Sequence, residues 1–356
     1  MRLVICWTDL TGYMASCWRA LAGRRRDIEL QVVVFAPRTE AHQRFNESLL
    51  EGLSYRLLTQ EERFDPKAVR AIVAAHRPDA VMIPGWYEPG YRRLCWYPEL
   101  AQTKFIMGMD NPWKHTWQQR MARLRIGRYV DRMDAVVVAG ERAWQFARRL
   151  KVPERKIFRG VYGFDLPLFD GAYEQRVANG PWPRRFLFMG RYVPLKGFDF
   201  LLPAYRKYRT MVSDPWPFTF CGQGPMQGLI AAEAGAEDWG FCQPSDQPGV
   251  MARHGVFVIA SWYEAWSVAL AEAMAAGLPA ICTEEVGATV DLIRACHNGL
   301  TVPTRDADGL ADALKWMHDH YDRLPTMGQH ARQFASAHSA ELWAERYERM
   351  LQKIGF

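Results

Sequence analysis

Short apolar runs alternate with helix-length segments along nearly the whole chain, and this alternation leaves few folds open. Runs at residues 3–7, 30–35, 80–83, 105–107 and 135–138 form one series. Runs at 186–189, 218–221, 256–260 and 280–283, with a short strand expected near Phe241, form a second. Continuous apolar runs suit strands buried on both faces, which is the condition of a parallel sheet covered by crossover helices. Between the two series Gly160, Gly163, Pro167, Gly171, Gly180, Pro181 and Pro183 interrupt regular structure, so residues 159–185 are expected to be a linker. A chain of 356 residues is also long enough that one core gives way to two. These features predict an α/β protein with two Rossmann-like domains, over 1–170 and 171–339, followed by a C-terminal helix in 340–356. That tail carries Leu342, Trp343, Tyr347, Met350 and Leu351 at helical spacing, as one buried stripe.

Charge divides unevenly between the halves. Residues 1–170 hold 28 Lys and Arg against 19 Asp and Glu, a net of +9; residues 171–356 hold 17 against 20, a net of −3. A basic half suits a phosphate-bearing substrate or an anionic membrane surface as well as a merely solvated one. A nucleic-acid partner is not expected, because zinc-finger, RNP-like and basic-heptad patterns are all missing. Apolar stretches fall short of the ~18 residues a spanning helix needs. The opening run is too brief for a signal peptide, and the seven cysteines are scattered without a C-x-x-C pair. A cytoplasmic protein is the expectation.

Ligands of open parallel sheets sit beyond the carboxyl ends of the strands, in these two domains at a cleft between them. Two segments at such ends carry chemistry. After the run at 256–260 comes Ser261-Trp262-Tyr263-Glu264-Ala265-Trp266-Ser267-Val268, with Glu272 further on. Ser267 is a good N-cap, Val268 to Ala276 are helix formers, and Gly277 with Pro279 supplies the stop. The leading amides of that helix make an anion site suited to phosphate. Glu264 and Glu272 beside it suit sugar hydroxyls, although two surface glutamates would look the same. After the run at 186–189, Gly190 is followed by Arg191 and Lys196. A forked guanidinium and a point charge at one strand end suit a diphosphate leaving group. Cys221-Gly222-Gln223-Gly224-Pro225 is a side-chain-poor turn where a ligand can approach the backbone.

The segments "MGRYVPLKGFDFLLPAY", "CGQGP" and "ASWYEAWSVALAEAMAAGLPAICT", in that order, resemble the donor domain of glycosyltransferase family 4, the retaining GT-B enzymes. The likeness covers roughly residues 184–320. "GVYGFD" at 160–165 is similar to that family's interdomain segment. The resemblance implies the GT-B arrangement, two Rossmann-like domains facing a central cleft, with the last helix returning to the N-terminal domain. It implies that Arg191 and Lys196 bind the donor diphosphate, Glu272 the ribose and Glu264 the transferred sugar. The backbone of Ala265, Trp266, Ser267 and Val268 would meet sugar and phosphate, Gly222 and Gly224 would line the donor site, and Phe241 would lie against the base. The family's Gly-Gly turn after the first strand is represented here by Gly12 alone. Its cleft histidine has no counterpart in Met107-Gly108-Met109-Asp110-Asn111-Pro112-Trp113, where Asp110 is the candidate base for the acceptor hydroxyl and an ordinary Asp-Asn-Pro turn is the other reading.

The expected activity is transfer of a hexose from a UDP- or GDP-linked donor to a saccharide or lipid-linked acceptor. No cofactor is expected beyond that co-substrate. No metal is implied, because Arg191, Lys196 and the helix end can stabilise the leaving group without one and no Asp-x-Asp triplet is expected. A nucleotide-sugar epimerase on the same plan and a non-catalytic nucleotide-sugar-binding protein remain alternatives. Arg120, Arg123, Arg125, Arg128 and Arg132, interleaved with Trp117, Met121, Leu124 and Tyr129, predict a basic amphipathic helix that would suit peripheral contact with anionic lipid.

Overall fold

A computed structural model of the chain describes residues 1–36 and 47–356. Among the described residues the backbone divides into one compact unit of residues 1–36, 47–164 and 339–356, and a second of residues 165–338.

The first unit is built on a seven-stranded sheet of order β3-β2-β1-β4-β5-β6-β7, parallel throughout. Its strands are β1 (Arg2–Trp7), β2 (Glu29–Phe35), β3 (Ser54–Leu58), β4 (Ala80–Pro84), β5 (Lys104–Met109), β6 (Ala135–Val138) and β7 (Ile157–Arg159). Val32, Val33 and Val34 are fully buried, so both faces of β2 are covered, and the β-branched run has no exposed side to alternate with. The second unit carries a six-stranded parallel sheet of order β10-β9-β8-β11-β12-β13. These strands are β8 (Phe186–Met189), β9 (Phe218–Cys221), β10 (Ala236–Asp238), β11 (Val256–Ile259), β12 (Ala280–Thr283) and β13 (Gly299–Val302). In each sheet the order reverses once, between β1 and β4 and between β8 and β11. Connections leave these two junctions in opposite directions, opening a crevice at the carboxyl ends.

Three expectations are corrected. The strand foreseen near Phe241 lies earlier, as the polar edge strand β10, and Phe241 sits in the loop beyond it. Residues 159–185 are not an irregular linker throughout, because Leu166–Ala178 is a helix with Pro167 in its first turn, where a proline costs nothing. That helix is anchored by Arg176, which donates to the carbonyls of His254, Ala276 and Met251 at 2.9, 2.6 and 2.6 Å. Burial lowers the Arg176 pKa to about 9. The third correction concerns the tail: Leu342 is 39% exposed, whereas Trp343, Tyr347, Met350 and Leu351 are buried.

The tail helix, Ala340–Lys353, packs within the first unit against the helix Gly12–Arg24. The Ser339 hydroxyl caps it by accepting from the Leu342 amide at 3.2 Å. The Trp343 indole donates to the Val161 carbonyl at 2.9 Å, so the last element of the chain closes the first unit's core. Among the described residues no helix is long and apolar enough to cross a membrane.

Candidate functional site

In the second unit the chemistry expected from the sequence collects at the β8/β11 junction. Beyond β8 the chain turns through Gly190 and a short 3-10 segment, Pro194–Lys196, into Gly197 at φ 75°. Beyond β11 it runs through Ser261 to Ser267 before the helix Val268–Ala275. The two loops are stitched together by the Trp262 amide, which donates to the Leu195 carbonyl at 2.9 Å. They approach so closely that a Cβ on Gly197 would stand 1.9 Å from the Ala260 carbonyl oxygen. Only glycine satisfies both that approach and the left-handed backbone.

This stitching carries Lys196 onto Glu264. Their side chains form an ion pair, 12% and 22% exposed, and the Ser261 hydroxyl donates to the same Glu264 oxygen at 3.1 Å. An ammonium has three donors, so pairing with Glu264 leaves two for an incoming anion. Arg191 is exposed at the end of β8. The backbone of Glu264 to Trp266 is held by the turn after β12: the Glu264 amide donates to Glu285, and the Gly287 and Ala288 amides donate to the carbonyls of Glu264 and Trp266. A Cβ on Gly287 would meet the Ala265 carbonyl oxygen at 2.0 Å, so the two loops approach too closely for any residue but glycine there.

Ser267 caps the helix as expected, its hydroxyl accepting from the Leu270 amide at 3.4 Å, but at φ 95°. A non-glycine residue in that region stores strain, and such residues cluster at working sites. With Leu270 satisfied, the amides of Val268 and Ala269 point out of the helix end without intrahelical acceptors. Glu272 lies one turn further, on the same face as Val268. It is partly open to solvent yet closely surrounded, and burial pushes its carboxyl up to about 8. The Trp266 ring is buried and its indole donates to Asp291 at 3.2 Å, which turns the side chain away from any ligand at the helix end.

Packing within the unit constrains the glycine turn. A Cβ on Gly222 would stand 1.9 Å from the Gly190 carbonyl oxygen, and one on Gly224 2.5 Å from that of Tyr192. Close packing of the β8 and β9 loops therefore accounts for both glycines without a ligand. The Gly222 amide donates to the Gly240 carbonyl at 2.8 Å, which sets the half-buried Phe241 beside this turn. The expectation that the chain has no Asp-x-Asp triplet is corrected, because the sequence carries one, Asp306-Ala307-Asp308, whose carboxylates are engaged within the unit. Asp306 caps Gly309 at 2.8 Å and Asp308 pairs with Lys207.

Asp110 and Gly12 belong to the first unit, where a cavity of about 280 Å³ opens at the β1/β4 junction. Asp110 lines it with Trp7, Asp9, Tyr13, Glu88 and Tyr162, whereas Gly12 is not among its lining residues. The Tyr162 hydroxyl donates to Asp110 Oδ2 at 2.7 Å. Burial raises the Asp110 pKa, and the Tyr162 hydrogen bond pulls the other way. Tyr162 is fixed edge-on against Trp7 and Tyr13, with ring centroids 6.4 and 5.9 Å apart. Glu88 is paired with Arg63 at 2.7 Å. Sequence reasoning missed Tyr162 and Ser261; the "GVYGFD" segment that contains Tyr162 was the available signal.

Residues 183–320 match the family model for glycosyl transferases group 1. A D-rhamnosyltransferase of Pseudomonas aeruginosa, WbpZ, is 25% identical over 258 residues, 66% of this chain and 65% of that protein. A putative glycosyltransferase of Bacillus subtilis, EpsF, is 28% identical over 65% of this chain and 62% of its own length. The chain thus spans just under two thirds of each relative. Among solved structures, Anabaena HepE in complex with UDP and glucose superposes with a TM-score of 0.76 at 16% identity, covering 99% of both chains. Sucrose-phosphate synthase from Thermosynechococcus elongatus gives 0.74 at 17% identity, covering 99% of this chain and 98% of that one. The fold is therefore GT-B, and residues 183–320 are similar to the group 1 glycosyl transferases.

Proposed function

We propose that the protein is a retaining glycosyltransferase of family 4 that moves a hexose from a UDP- or GDP-linked donor to a saccharide or lipid-linked acceptor. The observation that carries this reading is the knot at the β8/β11 junction, where Lys196, Glu264 and the amino end of the Val268–Ala275 helix share one loop pair. Arg191 and the two free donors of Lys196 take the diphosphate oxygens. The helix amides complete a positive cup that stabilises the charge growing on the leaving group as the glycosidic bond breaks. Glu264, held by Lys196 and Ser261, accepts from hydroxyls of the transferred sugar. Glu272 accepts from the ribose, a hydrogen bond that favours its ionised form over the neutral one burial selects. Phe241 lies against the base.

The acceptor enters the cavity of the first unit, whose aromatic and carboxylate lining suits a hydroxyl-rich ring. Asp110 receives the acceptor proton there, or the departing phosphate does, on the same face from which the nucleotide leaves. The UDP complex of a structure with the same fold supports a nucleoside diphosphate donor, and the names of the sequence relatives support glycosyl transfer. The test is a transfer assay with UDP- and GDP-hexoses against a saccharide panel, monitoring release of nucleoside diphosphate and the anomeric configuration of the product. Transfer with retention is expected. Consumption of donor without any acceptor would show an epimerase or hydrolase instead.

A further inference from the structure

We propose that one face of the first unit, formed by the segment 117–132, docks on a bilayer rich in anionic headgroups, through three apolar side chains planted among arginines. The inference goes beyond the transfer reaction and is tested without it. The helices Trp117–Arg120 and Ala122–Asp131 follow each other directly. Burial sorts their side chains into two faces. Gly127, Tyr129 and Val130 are buried in the unit. Trp117, Met121 and Leu124, at i, i+4 and i+7, are 62%, 43% and 78% exposed. Arg120, Arg125, Arg128 and Arg132 are exposed around them. Two residues of the amphipathic pattern are not free on that face: Tyr129 is buried and donates to the Gly85 carbonyl at 2.7 Å, and Arg123, half-buried, forks onto Asp131 with both contacts at 2.8 Å. That fork neutralises Asp131, the acidic side chain on the outward face, so the face is left with uncompensated cations.

A helix exposes a Leu at 78% next to a Trp at 62% at some cost in water, and four arginines around them would repel a basic partner. Both features fit an anionic membrane interface, where the apolar side chains enter the acyl boundary and guanidinium groups meet lipid phosphates.

The experiment is co-sedimentation of the purified full chain with vesicles of phosphatidylcholine alone and of phosphatidylcholine mixed equally with phosphatidylglycerol. Binding is expected only with the anionic vesicles and should weaken steeply with salt. Each arginine changed to Gln, at 120, 125 or 128, should weaken it about fivefold. The pair Trp117→Ser with Leu124→Ser should lose it, with an unchanged melting temperature because neither side chain is part of the core. Absence of binding to anionic vesicles, or equal binding by the wild type and the Trp117/Leu124 variant, would overturn the proposal. So would concentration-dependent self-association that disappears in the same variant without any vesicle binding, which would assign the face to a second copy of the chain.

Discussion

Lys196 and Glu264 hold each other, so removing either one tests fold and function together, and removing both separates them. With side chains 12% and 22% exposed, the pair lies between a buried ion pair and a surface one. Breaking a buried pair from one side costs about 3–5 kcal/mol, and an exposed pair is worth under about 1 kcal/mol. Lys196→Met should therefore destabilise the second unit by about 2 kcal/mol, and Glu264→Gln by a similar amount, lessened by the Ser261 hydroxyl that still finds an oxygen at this position. For a unit of this size that is a drop of about 4–8 °C in Tm. The double variant leaves no uncompensated charge, so it should recover to within about 1 kcal/mol of wild type. Activity should not follow. Lys196→Met and the double variant should both lose at least about 100-fold in kcat, because the leaving diphosphate has lost its ammonium. Thermal unfolding by circular dichroism and the transfer assay read the two quantities separately. Additive destabilisation in the double variant would refute the coupling, and transfer at the wild-type rate by Lys196→Met would refute the catalytic role.

Three further outcomes follow from the same geometry. Gly222→Ala sets a methyl 1.9 Å from the Gly190 carbonyl oxygen and should cost about 3 kcal/mol or more, read as a lowered Tm; an unchanged Tm contradicts the packing. Glu272 binds its proton more tightly folded than unfolded, so its stabilising effect is full below about 4.5 and is lost as pH rises through about 8. Glu272→Gln should match wild type near pH 5 and exceed it above pH 8, by about 2 kcal/mol once partial exposure is allowed for, and denaturant titrations giving parallel curves would contradict this. Tyr162→Phe removes the hydrogen bond that lowers the Asp110 pKa, so the acid limb of kcat/KM should move to higher pH; an unmoved limb would dissociate Asp110 from the reaction.

Much of the architecture is legible in the sequence, because buried parallel strands write themselves as unbroken apolar runs. β6, β8, β9 and β12 coincide with such runs. Edge strands do not. β3 reads Ser-Tyr-Arg-Leu-Leu with mostly exposed side chains, and β10 is Ala-Glu-Asp, so both escape any hydrophobic pattern. β13 and β7 are short or polar for the same reason. The Leu166–Ala178 helix was hidden by Pro167 and Gly171, residues that break a helix interior but are tolerated at a start or on an open face. At the site, the spacing of Glu264 and Glu272 and the cap at Ser267 were readable, because both are local. The Lys196–Glu264 pair was not: 68 residues separate the partners, and only the adjacency of β8 and β11 brings them together. The Tyr162–Asp110 bond spans 52 residues and was hidden in the same way.

The central claim is that the β8/β11 junction holds a diphosphate. Calorimetric titration of UDP and GDP into the wild type, Arg191→Ala and Lys196→Ala tests it most directly. One of the two nucleotides should bind the wild type at a single site, and each variant should weaken it about 10- to 100-fold, the worth of one charge-assisted contact. Undiminished affinity in both variants, or no binding of either nucleotide to the wild type, would contradict it.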